Sequence, residues 1–304
     1  MRYFIGWDVG AWQCKQSGTS CDAIAVFKDT TFAGYYRDNI SHTIQQAMVD
    51  GRGDPAAFVI NSWFNLCEIK ETYCTTDEYV IAIDTPLGWP KDFVELVRGG
   101  AISERWTYPG VGNNISNSLL FRRTERELGS SLSAVTDAIG SQSTKGMTLL
   151  RVTHADKLSW GIWTANGNIT VIETYPSPCL RSADFVNWME SLQLTDDLGD
   201  TLRDDTFDAF VCASVAKAYL EKPGLLYHPP SDDSQNESIE GWIFRPTGHL
   251  VDPRAIHGKK AVIESHRSFS EALLAMKKQV MSLLKEAAAV TSWEQSGSKQ
   301  ERPS

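Results

Sequence analysis

The stretch "EYVIAIDTPLGWP" at residues 78–90 sets the strongest condition on how this chain folds. Tyr79 to Ile83 form a near-continuous apolar run, the pattern of a central strand covered on both faces; a half-exposed strand would alternate. Pro86 ends the run, because the residue ahead of a proline is held extended and the proline brings no donor to a sheet ladder. A strand buried on both sides needs a layer on each, which points to a sheet sandwiched by helices. With 42% hydrophobic and 10% aromatic residues among 304, the chain has the material for such a core.

The rest of the sequence fills in that sandwich. Three strand-like stretches come early, "YFIGWDVG" at 3–10, "CDAIAVFKD" at 21–29 and "FAGYYRD" at 32–38, and their short spacing suits an antiparallel meander. A helix opened by Pro55 is expected over about 55–70. Residues 90–157 are less regular and read as an insertion, with "YPGVGNNISNS", the charged "FRRTERELG" and a Ser/Thr-rich turn region. "WGIWT" and "ITVIE" then flank an Asn166-Gly167 turn signal, predicting a hairpin. Helices are expected at about 178–193 and 204–221, and "EGWIFRP" at 240–246 as a short closing strand or loop. The class is therefore α/β, a mixed sheet made of a three-stranded antiparallel meander plus parallel strands, flanked by helices. Residues 1–248 form the main domain. Residues 249–304 form a C-terminal helical extension, with a Ser-capped amphipathic helix over about 268–290 and a polar tail expected to be disordered. That helix is a candidate contact for a second copy or a protein partner.

Several classes are disfavoured. No apolar run approaches the roughly 18 residues of a spanning helix, and nothing after Met1-Arg2 resembles a signal peptide, so a cytoplasmic protein without a membrane is expected. The six cysteines lack zinc-knuckle spacing and read as reduced thiols. A net charge of −9 argues against a surface coated for nucleic acid, but not against one local basic groove.

The acids are placed more tellingly. Asp8, Asp84 and Glu173 each close an apolar strand, and Asp205 and Asp208 lie three apart on one face of a helix start. Singly, each has a plain explanation, such as a turn residue or a favourable partner for the helix dipole. Together, at the ends of neighbouring strands, they repel: two carboxylates about 4 Å apart cost roughly 4 kcal/mol at an effective dielectric near 20. A compensating cation is required, and hard divalent ions, Mg²⁺ or Mn²⁺, prefer oxygen ligands. A pair of such ions supports phosphodiester hydrolysis. Arg122, Arg123 and Arg126 are the candidate phosphate clamp, and Lys145 a weaker one, although intrahelical ion pairs with Glu125 and Glu127 account for the arginines equally well.

The segments "GWDVG", "AIDTPLGWP", "FRRTERELG", "VIETYP", "DAFVCASVAKAYL" and "EGWIFRP", in this order from residue 3 to about 246, resemble the domain of unknown function 429 family, predicted RNase H-like nucleases. The resemblance implies a ribonuclease H-like core with a divalent-metal acidic site, in which Asp8 and Asp84 are the first- and second-strand acids. Glu173 corresponds to the acid before the Tyr-Pro step, and Asp208 to the helix acid with Asp205 beside it. The implied activity is metal-dependent hydrolysis of DNA or RNA. Two alternatives stand: an ATP-binding phosphotransferase of the actin-like superfamily, whose first-strand turn here reads the bulky Ala11-Trp12-Gln13, and a non-catalytic binding or regulatory subunit.

Overall fold

The computed structural model describes residues 1–15, 18, 20–49, 53–100, 117–129, 131–192, 203–230, 239–252, 259–266 and 268–297, with backbone alone for residues 261 and 287–297. Strands β1 (Arg2–Asp8), β2 (Ala23–Lys28) and β3 (Thr31–Arg37) are followed by helices α1 (Ser41–Val49) and α2 (Pro55–Leu66), then β4 (Glu78–Asp84) and α3 (Lys91–Arg98). Helices α4 (Arg123–Leu128) and α5 (Gly140–Val152) precede β5 (Asp156–Ser159), β6 (Ile162–Ala165) and β7 (Ile169–Thr174). Helices α6 (Pro176–Leu180), α7 (Ala183–Glu190) and α8 (Asp204–Glu221) lead to β8 (Leu226–Tyr227), β9 (Ile243–Pro246), α9 (Lys259–Glu264) and α10 (Phe269–Gly297).

Among the described residues the strands form one nine-stranded mixed sheet, ordered β3-β2-β1-β4-β7-β6-β5, with β9 beside β7 and β8 beside β9. The first three strands are the expected antiparallel meander. β1, β4 and β7 run parallel to one another, so their carboxyl ends lie along one edge. Side chains alternate along each strand, and the two cores follow that parity. Phe4, Val80, Ala82 and Ile172 pack under α8, whereas Ile5, Trp7, Ile81, Ile83 and Val171 pack against α2 on the other face. α8 presses closely onto the strands: a β-carbon at Gly6 would stand 2.0 Å from the Ala209 carbonyl oxygen. Only a glycine admits that approach.

The hairpin turn takes left-handed φ values of 54° at Asn166 and 74° at Gly167, as Asn-Gly turns require. Other expectations needed adjustment. The segment over 178–193 divides into α6 and α7, because Ser182 caps a fresh helix by accepting from the Phe185 amide. Residues 90–157 hold three helices and a strand among those described. Helix α5 arises in the stretch that resembled turns. The expected tail is helical through Gly297, and residues 298–304 lie outside the described set. The C-terminal extension does not form a core of its own: Ile263, Phe269, Ala272, Leu273 and Met276 are buried in the cluster under α8, and Phe269 stacks on Phe210 at 4.7 Å. The inner face of the helix expected to meet a partner is thus committed to its own chain. Among the described residues no helix is long and apolar enough to cross a membrane.

Candidate active site

Register decides which acids meet. Asp8 and Asp84 are direct partners across the parallel pair of β1 and β4, so they emerge side by side on the face that carries α8. Both are half-buried, and among the described residues neither carboxylate has a hydrogen-bond or ion-pair partner. Burial, and after it the mutual repulsion with Asp84 and Asp208, holds the Asp8 carboxyl well above the usual carboxylate range. Asp84 is raised likewise, by burial first and then by Asp208. Asp208 sits one turn into α8, where burial pushes its pKa up to about 6 against the pull of a neighbouring ammonium.

That ammonium is Lys259, the first residue of α9. Its Nζ donates to both oxygens of Asp208, at 2.7 and 2.6 Å, and lies 3.3 Å from Asp204. Burial disfavours its charge, but Asp208 and Asp204 outweigh that and raise its pKa. Lys259 was invisible as a site residue in the sequence, where it stands in a polar segment well after the acidic motifs. The usable signal was weak: a lysine pair, Lys259-Lys260, in an otherwise acidic chain.

Glu173 lies at the same edge of the sheet but on the other face. It aligns with Ile83, not with Asp84, and a one-residue offset reverses the direction of a strand side chain. There it is fully engaged: the Arg122 guanidinium donates to both its oxygens at 2.7 and 2.6 Å, and the Leu87 amide donates at 2.9 Å. Arg122 also donates to Glu125 at 2.8 Å, and its pKa is raised between the two carboxylates. The cluster is sealed, with Arg122 and Glu173 each 1% exposed, and Gly241 leaves room for it: a β-carbon there would be 2.4 Å from Glu173. Arg122 is therefore a buried partner of carboxylates, and it also lines the cavity at this edge. The same parity turns Glu173 away from the Asp8–Asp84 pair, yet it lines the same cavity and its charge adds to the rise in the Asp84 pKa.

Three other expected contributors serve the scaffold. Asp205 accepts from Arg37 Nε at 2.7 Å and from the Cys21 amide at 3.2 Å, tying α8 to β3 and the β1–β2 loop. Lys145 is fully buried and pairs with Asp22, which also accepts from Trp7 Nε1 at 3.1 Å and from the Gly10 and Ile40 amides at 2.9 and 3.0 Å. Arg123 donates to Glu127 at 2.7 Å one turn along α4, the intrahelical pair weighed above. Arg126 is half-buried and makes no side-chain ion pair among the described residues.

A cavity of about 180 Å³ opens at this edge, with Asp8 and Asp84 on one wall, the Arg122–Glu173 pair on another, and Val9, Leu132 and Ile139 as apolar lining. Among the described residues no three His, Cys, Asp or Glu side chains are grouped closely enough to hold a metal ion together. The donor set nevertheless suits a hard cation. It offers carboxylate oxygens only, and the Asp8 and Asp84 carboxylates have no hydrogen-bond or ion-pair partner among the described residues. Comparison of the chain with family models, curated proteins and solved structures found no match.

Proposed function

We propose that this chain is a ribonuclease H-like phosphodiesterase that hydrolyses DNA or RNA with Mg²⁺ or Mn²⁺ at the Asp8–Asp84 pair. The observation that carries the reading is that pair: two carboxylates in register on adjacent parallel strands, half-buried, mutually repelling and unpartnered among the described residues, beside Asp208. Burying like charges without a partner is costly, and a fold does not keep such an arrangement for stability. The antiparallel meander followed by parallel strands supports the ribonuclease H-like architecture.

Asp8 and Asp84 would hold the cation, which when bound supplies Lewis acidity and a more acidic water for attack on phosphorus. The chain's own part is positional. Gly6 lets α8 settle on β1, which fixes Asp208 beside the pair, and Val9 and Ile139 add apolar lining to the cavity. The Arg122–Glu173 pair stiffens the opposite wall by anchoring α4 to β7 and, through the Leu87 amide, to the segment after β4.

The phosphotransferase alternative loses ground on the turn after β1. Phosphate binding there needs free backbone amides, yet the Gly10 amide donates to Asp22 at 2.9 Å and the Trp12 amide to Ser141 at 3.1 Å.

The test is cleavage of single-stranded, double-stranded and branched DNA and RNA by the full chain with Mn²⁺, alongside Asp8→Asn. Cleavage that needs the ion and is lost in the variant is expected. If the wild type binds Mn²⁺ but leaves every substrate intact, the nuclease reading is abandoned.

A further inference from the structure

Asp208 differs from Asp8 and Asp84 in one respect: its charge is already answered. Both its oxygens accept from Lys259 Nζ, whereas the strand pair receives no donor from the described residues. Nor is Lys259 a loose surface lysine. It opens α9, which is pinned by Ile263, fully buried under α8, and continues toward α10, itself fixed by Phe269, Leu273 and Met276. The Lys259 side chain is 26% exposed and that of Asp208 15%, so the contact sits at the rim and is partly shielded from water. For Asp208 to ligate a divalent ion it would first have to give up both bonds to that ammonium. A dication placed beside the ammonium would meet repulsion that grows as the local dielectric falls.

We propose, on the reading that the acidic rim is a metal site, that Lys259 takes the place of a second metal ion. The rim then holds one divalent ion per chain, at Asp8 and Asp84, with the Lys259 ammonium fixed on Asp208 as the standing second positive charge. This departs from the two-ion arrangement that a cluster of acids suggests by itself. It also gives the C-terminal extension a role at the catalytic edge, because α9 delivers the charge.

Calorimetric titration of the full chain with Mn²⁺, with the electron paramagnetic resonance of bound Mn²⁺ read in parallel, separates the possibilities. The wild type is expected to bind about one equivalent without spin coupling, Asp8→Asn to lose it, and Asp208→Asn to keep it, since Asp208 is not a ligand. Lys259→Met frees Asp208 and is expected to admit a second, spin-coupled Mn²⁺. Two equivalents in the wild type, loss of the ion in Asp208→Asn, or an unchanged stoichiometry in folded Lys259→Met would each overturn the assignment while leaving the nuclease reading standing. If Lys259→Met does not fold, the Asp208→Asn stoichiometry decides alone. A wild type that binds no Mn²⁺ removes both.

Discussion

The two faces of the sheet edge carry buried charge in contrasting condition. Away from α8, Arg122 lies between Glu173 and Glu125, and Lys145 meets an Asp22 that also accepts three N–H donors. Each charge there is answered by the opposite sign and by directed hydrogen bonds, as buried ions must be. Toward α8, Asp8 and Asp84 are partly open and have no donor among the described residues, and burial first, then neighbouring carboxylates (Asp84 for Asp8, Asp208 for Asp84), raises their proton affinity. Completed charge clusters hold a wall in place; incomplete ones are open to a ligand. The contrast separates the two acids without a partner among the described residues, Asp8 and Asp84, from the three that have one, Glu173, Asp205 and Asp208.

The largest effect should come from breaking the completed side. Arg122→Met leaves two carboxylates buried without their guanidinium, and should destabilise the protein by about 3–5 kcal/mol in urea unfolding. A loss under about 1 kcal/mol, within the range of an exposed pair, would show that the cluster is solvated and the contrast false.

A smaller effect of opposite sign is expected on the incomplete side. The carboxyls of Asp8, Asp84 and Asp208 have folded-state pKa values above their ordinary ones, Asp208 at about 6. From the ordinary carboxylate range up to those values the native state therefore binds more protons than the unfolded state, and these groups make stability fall as pH rises. Without metal, Asp8→Asn should thus gain stability relative to the wild type as pH rises above the ordinary carboxylate range. The advantage should shrink toward pH 4 and disappear when Mn²⁺ stabilises the wild type. A variant less stable than the wild type at every pH would mean that the pair is not under repulsion. The smallest change belongs to Arg123→Ala, which removes a half-exposed intrahelical pair with Glu127 and should shift stability by no more than about 0.5 kcal/mol. A loss of several-fold in Mn²⁺-dependent cleavage with stability intact would return Arg123 to the list of phosphate ligands.

Much of the frame was legible because it is written in local patterns. Apolar runs marked β1 to β4, Asn166-Gly167 marked the β6–β7 turn, and Pro55 marked the start of α2. Helix α5 was not legible: "GSQSTKGMTLLRV" is rich in Gly, Ser and Thr, which are poor helix formers. It is held instead by tertiary contacts, Lys145 on Asp22 and Gly146 close against Thr85. The face of Glu173 was hidden for a different reason. In "ITVIE" apolar residues stand at both parities, Val171 and Ile172 in succession, so no clean alternation showed which side the final acid would take.

The sequence by itself determined where the strands lie and that acids stand at their carboxyl ends, since backbone preference and hydrophobic spacing act over a few neighbouring residues. Which of those acids are left without a partner among the described residues was decided only in the folded molecule. Arg122 reaches Glu173, and Lys259 reaches Asp208, each across 51 residues of chain. An ion pair depends on the distance between charges in space, and no local pattern encodes that distance.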